Sequence, residues 1–310
     1  MSGSISVTFP ATLSEHADRR YQIMNTLAAY RTLFRLPISL FAACSALTGY
    51  LLTPDRDLWT ILLLTAGVFL LASGASALNQ YQERDIDALM ERTRHRPLPT
   101  GTIEPGKALT IVIILTVFGV PLLGRIAPAV AAFGAFAVLW YNGLYTPLKR
   151  KTAFAAVPGA LVGAFPPVMG WLAGRGAITD PRIFALAMLF FLWQIPHFWL
   201  LLLRNAAQYE KAGLPILTSI IPQEQLTKIT LLWIAAAAVA SLAMPFFGIV
   251  RSPYAYAPLV VLAVWISGSG LGIVMPNTAA AALHPAFRRV NIFILLFMFL
   301  AVLDSFLLRG

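Results

Sequence analysis

Residues 58–87 read LWTILLLTAGVFLLASGASALNQYQERDID, an uncharged apolar run that ends in a polar, acidic stretch. An α-helix rises about 1.5 Å per residue, so the run at 58–79 is long enough to cross the roughly 30 Å hydrocarbon core of a bilayer. Because no charge interrupts the run, it favours a helix surrounded by lipid and other helices. The stretch therefore predicts a transmembrane helix with a polar end.

Runs of this kind recur along the chain, which has 310 residues, 58% of them hydrophobic, and a mean hydropathy of +0.75. This composition excludes a soluble globular domain and predicts an all-α, polytopic integral membrane protein with nine transmembrane helices. We divide the chain into an N-terminal cytoplasmic or interfacial segment at 1–35 and a nine-helix domain at 36–310. The predicted spans are 36–53, 58–79, 107–124, 127–147, 153–173, 183–203, 228–249, 255–275 and 289–308.

The net charge of +10 is explained by membrane topology, so we expect no nucleic-acid partner. If the N-terminus is cytoplasmic, the N-terminal segment and the even-numbered loops carry most of the 23 Lys and Arg residues. Cytoplasmic loops of membrane proteins are enriched in these residues, which favours that orientation. The six basic residues left on the other side are Arg56, Arg125, Arg175, Arg182, Arg251 and Arg309.

Cysteine and histidine usage excludes two further classes of site. The single cysteine, Cys44, lies within the first predicted span, so no disulfide can form within the chain. The four histidines lack the spacing of a zinc site.

The polar end of the second span concentrates oxygen-bearing side chains on one face. Asn79, Glu83 and Asp87 are four residues apart, and each such step turns a helix by about 400°, so the three side chains stack. With Asp85 and Glu91, this stretch holds four of the chain's 13 acidic residues. Mg²⁺ prefers a few carboxylates together with substrate phosphates. The face is therefore a candidate Mg²⁺ platform at the membrane edge.

Basic residues follow the acidic face on the same predicted side of the membrane. Arg94 and Arg96 lie in the loop after it, and Lys149 and Arg150 lie in the loop between spans four and five. Guanidinium groups bind phosphate oxygens in pairs, so this arrangement suits a metal-bridged polyphosphate. Topology alone accounts for the basic residues but not for the acidic face.

The sixth span ends in Trp193-Gln194-Ile195-Pro196-His197. A proline within a transmembrane helix frees a backbone carbonyl and is tolerated where the helix is buried in protein or lines a cavity. His197 could ligate a haem iron, donate a hydrogen bond or pack as a satisfied ring. An ionisable residue within the membrane favours a role near a substrate.

In combination and in this order, these motifs resemble the UbiA superfamily of intramembrane prenyltransferases, whose second helix carries Asn-x3-Asp-x3-Asp. The similarity is greatest to the branch that farnesylates protohaem IX, and it covers residues 36–308. The matching stretches are 79–87, Met90-Glu91-Arg92-Thr93, Arg96-Pro97-Leu98, Tyr145-Thr146, Leu148-Lys149-Arg150, 193–197 and Ala212-Gly213-Leu214-Pro215-Ile216-Leu217.

The resemblance implies a nine-helix bundle in the bacterial cytoplasmic (inner) membrane, around a central cavity open towards the cytoplasm. It implies transfer of farnesyl from farnesyl diphosphate to a vinyl group of haem b, which gives haem O, with Mg²⁺ as the cofactor. Haem A synthase or oxidase assembly factors are the further partners that it implies.

The resemblance also implies roles for individual residues. Asn79, Glu83 and Asp87 would hold Mg²⁺, and with Lys149, Arg150 and His197 they make up the implied catalytic set. The implied diphosphate ligands are Arg94, Arg96, Lys149, Arg150 and Tyr145, and the implied haem-side residues are Trp193 and His197.

Two positions depart from the family pattern. Glu83 stands where the pattern has Asp, and Gln208 stands where a second acidic group precedes Tyr209. A neutral glutamine oxygen would weaken a second metal site, and Glu210 points about 200° away on a helix.

Three alternatives remain from the sequence. One keeps the fold with a quinone precursor or another aromatic acceptor, and another is a divergent paralogue of low activity. The third is a non-enzymatic membrane carrier, which the scarcity of charges at the membrane midplane disfavours.

Overall fold

The computed structural model describes residues 24–274 and 279–307, and over those residues it contains helices and no strands. The all-α prediction is confirmed for this part of the chain. The first 23 residues of the predicted N-terminal segment lie outside the described residues. The principal helices are α1 (Met24–Leu33), α2 (Leu36–Leu51), α3 (Leu58–Leu89), α4 (Pro105–Gly124), α5 (Pro128–Leu139), α6 (Thr146–Leu148), α7 (Ala156–Ala173), α8 (Pro181–Lys211), α9 (Gln223–Leu242), α10 (Pro253–Val274) and α11 (Ala279–Leu307).

Within the described residues, eight helices are long and apolar enough to cross a membrane, and a bent pair adds a ninth. That pair is α1 and α2, which meet at 51° on either side of Arg35. The backbone of Arg35 has φ 43° and ψ 53°. Residues other than glycine rarely adopt this left-handed conformation. The structure therefore agrees with the predicted count of nine spans if the bent pair α1 and α2 is counted as one span.

The helix α3 begins at a defined cap. The Asp57 side chain accepts a hydrogen bond from the Thr60 backbone N–H at 2.7 Å, which satisfies one of the free donors of the first turn. The helix continues about ten residues past the predicted span and ends where Met90 becomes extended. It continues because Asn79, Gln80, Glu83 and Asp87 are buried against protein rather than exposed in a loop.

Small residues allow α2 and α7 to approach closely. A Cβ atom added to Gly170 would lie 1.7 Å from the Ala46 carbonyl oxygen, so only glycine fits there. Close contact between small residues is a main source of helix association in membranes. The helices α2, α3, α5, α7, α8 and α11 leave a cavity between them.

The helix α8 also runs past its predicted end, to Lys211. It contains Pro196, and it bends at Asn205, where the backbone is non-helical and the side-chain amide donates to the Leu201 carbonyl at 2.8 Å. The first residues that the sequence assigned to loop six–seven, 204–211, therefore form a helical extension, which contacts the loop after α3 through Gln208 and Tyr209.

Candidate active site

The predicted acidic face is buried in the last turns of α3. Asn79 and Glu83 are 2% exposed and Asp87 is 1% exposed. An uncompensated buried carboxylate is costly, so each member needs a partner. Each has one, because basic side chains from three other segments reach the face.

The two carboxylates form ion pairs with residues that the sequence had selected. The Lys149 Nζ lies 2.8 and 3.0 Å from the two Glu83 carboxylate oxygens. The Arg96 Nη1 lies 2.7 Å from Asp87 Oδ2. Burial lowers the pKa of the Arg96 guanidinium, and repulsion from Arg35 acts in the same direction. Positive charge is therefore crowded at this end of α3.

Arg35 is the residue that sequence reasoning missed. Its Nη2 donates to Asn79 Oδ1 at 2.8 Å and its Nη1 donates to the Tyr141 hydroxyl at 3.1 Å. The Asn79 amide donates in turn to Thr146 Oγ1 at 3.0 Å. In the sequence, Arg35 was one of many basic residues flanking a span, so only its place directly before the first span could have singled it out.

The cavity has a volume of about 600 Å³ and extends from these residues into the bundle. Among the predicted site residues, Asn79, Tyr145 and Lys149 line it near the polar end, and so does Arg96. The implied haem-side residues line it from α8. Lining residues that the sequence did not select include Arg35, Arg92, Tyr141, Tyr209 and Asn291.

Two predicted diphosphate ligands lie elsewhere. Arg94 is exposed and does not line the cavity. Arg150 bonds the Asp85 carboxylate at 2.8 and 3.0 Å and also donates to the Gln82 carbonyl, on the outer side of α3. Hydrogen bonding to Asp85 raises the pKa of Arg150. The structure therefore gathers Arg96 and Lys149 at the cavity but neither Arg94 nor Arg150.

Gln208, at the altered second position, contacts the basic loop after α3. Its Oε1 accepts from the Arg92 backbone N–H at 3.0 Å, and the Arg92 guanidinium donates to the Tyr209 hydroxyl at 3.1 Å. The neighbouring Glu210 is exposed. A glutamine here fastens the α8 extension to that loop.

The haem-side candidates form an aromatic wall. Trp193 Nε1 donates to the Val290 carbonyl at 2.8 Å, and the His197 ring centroid lies 5.0 Å from that of Phe287. His197 Nδ1 lies 2.7 Å from Asn291 Oδ1. Within the described residues, His197 Nε2 has no hydrogen-bond partner, and the side chain lines the cavity.

The donor set of the α3 face fits Mg²⁺ shared with a ligand rather than a self-sufficient metal cage. In the part of the chain that the structure describes, no three His, Cys, Asp or Glu residues cluster as a metal site. Mg²⁺ is commonly held by one or two carboxylates plus substrate phosphates. Glu83 and Asp87, with the Asn79 amide oxygen, supply that kind of partial shell.

Partly buried cations at one end of an apolar cavity in a helical bundle are typical of a membrane-embedded site for an amphiphile with an anionic head. The model of the UbiA prenyltransferase family matches residues 40–292, so the chain belongs to that family.

Two relatives make the assignment finer. Over 236 residues the chain is 43% identical to the protoheme IX farnesyltransferase of Geobacter sulfurreducens, covering 75% of this chain and 87% of that protein. Over 292 residues it is 36% identical to the protoheme IX farnesyltransferase of Oleidesulfovibrio alaskensis, covering 92% and 99%.

Solved structures agree on the fold. The structure of a digeranylgeranylglyceryl phosphate synthase matches with a TM-score of 0.73 at 15% identity, covering 91% of this chain and 99% of that one. A UbiA homologue from Archaeoglobus fulgidus bound to GPP and Mg²⁺ matches with a TM-score of 0.57 at 18% identity, covering 88% and 99%.

Proposed function

We propose that the chain transfers farnesyl from farnesyl diphosphate to a vinyl group of haem b and so produces haem O. The observation that carries the proposal is the buried Asn79, Glu83 and Asp87 face, bonded to Arg35, Lys149 and Arg96 at one end of an apolar cavity. The acceptor is argued from the two relatives named protoheme IX farnesyltransferase.

The charges at this end of the cavity add up to a positive excess, which favours binding of an anion. Arg35, Lys149 and Arg96 bring three positive charges, whereas Glu83 and Asp87 bring two negative ones. An excess of positive charge in a partly buried site is unfavourable until an anion joins it. A diphosphate head group supplies that anion, and Mg²⁺ held by the α3 oxygens would neutralise part of the diphosphate charge.

The cations act on the bond that breaks. As the bond between the allylic carbon and the diphosphate oxygen opens, the diphosphate keeps the electron pair and its negative charge grows. Donors already fixed in a site of low dielectric stabilise this charge without reorganising. Lys149, Arg96 and Arg35 are held beside the cavity by their bonds to the α3 face, and they would become such donors once the diphosphate and Mg²⁺ replace those bonds.

The new bond forms between the prenyl carbon and the haem vinyl group. The π electrons of the vinyl group attack the allylic carbon, and water adds to the cation that remains on the haem side and loses a proton. We assign the Trp193 and His197 wall to the acceptor, because it lines the same cavity from α8, away from the diphosphate end. The proposal also puts the N-terminus in the cytoplasm and the protein in a bacterial inner membrane.

Paired variants of two neighbouring carboxylates test the proposal. We expect Asp87→Asn to lower haem O formation at least a hundredfold, because it removes a buried charge that Arg96 and the metal need. The matched control is Asp85→Asn, whose side chain is 63% exposed and, among the described residues, forms its ion pair with Arg150. Exposed ion pairs contribute about 1 kcal/mol or less, so this variant should stay near full activity.

The measurement is mass spectrometry of haem extracted after purified protein has turned over haem b, farnesyl diphosphate and Mg²⁺. A farnesyl-sized mass gain that is absent in Asp87→Asn supports the proposal. An unmodified haem with wild-type protein, or equal product from both variants, contradicts it. A quinone precursor added in competition tests the alternative acceptor in the same reaction.

A further inference from the structure

Towards the start of α3, its polar face continues as an apolar lining of the cavity. Four-residue steps below Asn79 reach Ala75 and Leu71, and the cavity lining on this helix ends at Val68. From Asn79 to Val68 is eleven residues, or about 16 Å at 1.5 Å per residue. One helix face thus joins the diphosphate end to the apolar end of the cavity.

The apolar end closes around Gly134 of α5. A Cβ atom added to Gly134 would lie 2.8 Å from Leu123 Cδ1, 2.9 Å from Leu71 Cδ1 and 3.1 Å from Met169 Cε. Three side-chain tips from α4, α3 and α7 therefore converge on this glycine. Leu71, Gly134 and Met169 also line the cavity, and Leu123 is fully buried behind them.

We propose that Leu71, Gly134 and Met169 form the floor that selects the length of the isoprenoid chain. This inference rests on the proposed function, because it takes the α3 face as the diphosphate end. An extended farnesyl chain has about twelve main-chain carbons, and each of its roughly eleven zigzag bonds advances the chain by about 1.25 Å, so it covers about 14 Å. Along the helix, Leu71 lies about 12 Å and Val68 about 16 Å from Asn79. A farnesyl chain therefore ends at the level of the floor, whereas a chain one isoprene unit longer meets the three side chains.

The floor lies on a packed core, so it resists a longer chain. Val68, Leu71, Leu123 and Met169 belong to one buried apolar cluster. Inserting groups into a well-packed core forces unfavourable rotamers and backbone shifts. Removing floor atoms should therefore admit longer chains, and adding atoms at Gly134 should exclude farnesyl in favour of shorter ones.

Competition between chain lengths tests the floor. Purified protein receives equimolar geranyl, farnesyl and geranylgeranyl diphosphates with haem b, and the masses of the products are compared. One methylene in an apolar pocket changes selectivity about tenfold or more. We expect Leu71→Ala and Met169→Ala to raise the geranylgeranyl to farnesyl product ratio at least tenfold, and Gly134→Val to raise the geranyl to farnesyl ratio similarly.

The matched control is Leu64→Ala, which removes a fully buried side chain from the same helix and cluster but not from the cavity lining. It should lower thermal stability without changing the product ratios. Gly134→Ala serves as the milder variant if Gly134→Val does not fold. Unchanged ratios in folded Leu71→Ala, Met169→Ala and a folded Gly134 variant would overturn the proposal.

A second measurement tests the floor without depending on which acceptor the protein uses. Thermal stabilisation of the protein by each prenyl diphosphate with Mg²⁺, without haem, ranks the chain lengths by binding. If haem b is not the acceptor, the ranking should still favour farnesyl and still shift in the floor variants. A ranking that is the same in all variants would contradict the floor even if haem O forms.

Discussion

At the residue scale, the sequence predicted which side chains share one helix face, but it did not predict contacts between distant segments. Asn79, Glu83 and Asp87 could be predicted as one face because helical geometry alone stacks them. The bonds of Arg35 to Asn79 and Tyr141 join residues 44 and 106 positions apart, so they depend on how the helices pack. The same limit explains why Arg94 and Arg150 looked equivalent to Arg96 and Lys149.

Asn291 illustrates what such a contact adds to the site. Its amide nitrogen donates to the Phe287 carbonyl at 2.8 Å, so its oxygen faces His197 Nδ1 as an acceptor. His197 must then carry its proton on Nδ1 and keep the lone pair on Nε2. We propose that Asn291 acts as a positioning residue for the His197 ring, which lines the cavity.

We expect Asn291→Leu to weaken haem b binding by about tenfold to a hundredfold, the usual effect of losing a partner that orients a metal-ligating histidine, which is the role that His197 would have in binding the haem iron. A haem titration followed by absorbance measures both the affinity and the position of the Soret band. Asn291→Gln, which retains an amide oxygen, should recover part of the affinity. Identical titrations for wild-type protein and a folded Asn291→Leu variant would exclude this role.

At the element scale, hydropathy located the helices but misjudged where α3 and α8 end. The helix α3 continues to Leu89 and α8 to Lys211, because polar side chains there are buried in α3 or, in α8, bond to the loop after α3. The break between α1 and α2 was not predictable either. It depends on the left-handed backbone of Arg35, which no residue pattern signals.

Two substitutions at position 35 separate backbone strain from side-chain chemistry. Both Arg35→Ala and Arg35→Gly lose the guanidinium, so we expect both to lose most prenyl transfer. A left-handed conformation costs a non-glycine residue about 1–2 kcal/mol, and glycine avoids that cost. Thermal unfolding in detergent should therefore find Arg35→Gly more stable than Arg35→Ala by about 1 kcal/mol. Equal stability of the two variants would show that the break stores no strain.

At the scale of the whole molecule, the sequence predicted an integral membrane bundle and its family resemblance, and the fold is confirmed. The order of helices around the cavity came only from the structure, since close contacts such as Gly170 against Ala46 are not visible in hydropathy. The orientation in the membrane stays a prediction from charge. It places the diphosphate end of the cavity on the cytoplasmic side.

The two ends of α4 offer a direct test of that orientation. Lys107 in its first turn and Arg125 just after its end are both exposed. In a Cys44→Ser background, which leaves no other cysteine, a membrane-impermeant thiol reagent should label Arg125→Cys in intact cells. Lys107→Cys should be labelled only after the cells are opened. The reverse pattern would invert the topology.

The ion pairs along α3 make the two halves of the substrate complex depend on each other. Mg²⁺ arriving alone would have to displace Lys149, Arg96 and Arg35 from the oxygens that it needs. A diphosphate draws the same cations away from α3 and frees those oxygens. Linkage requires the effect to be mutual, so each ligand raises the affinity of the other by the same factor. The proposed function therefore implies that Mg²⁺ and the lipid diphosphate each bind weakly to the resting protein until both are present.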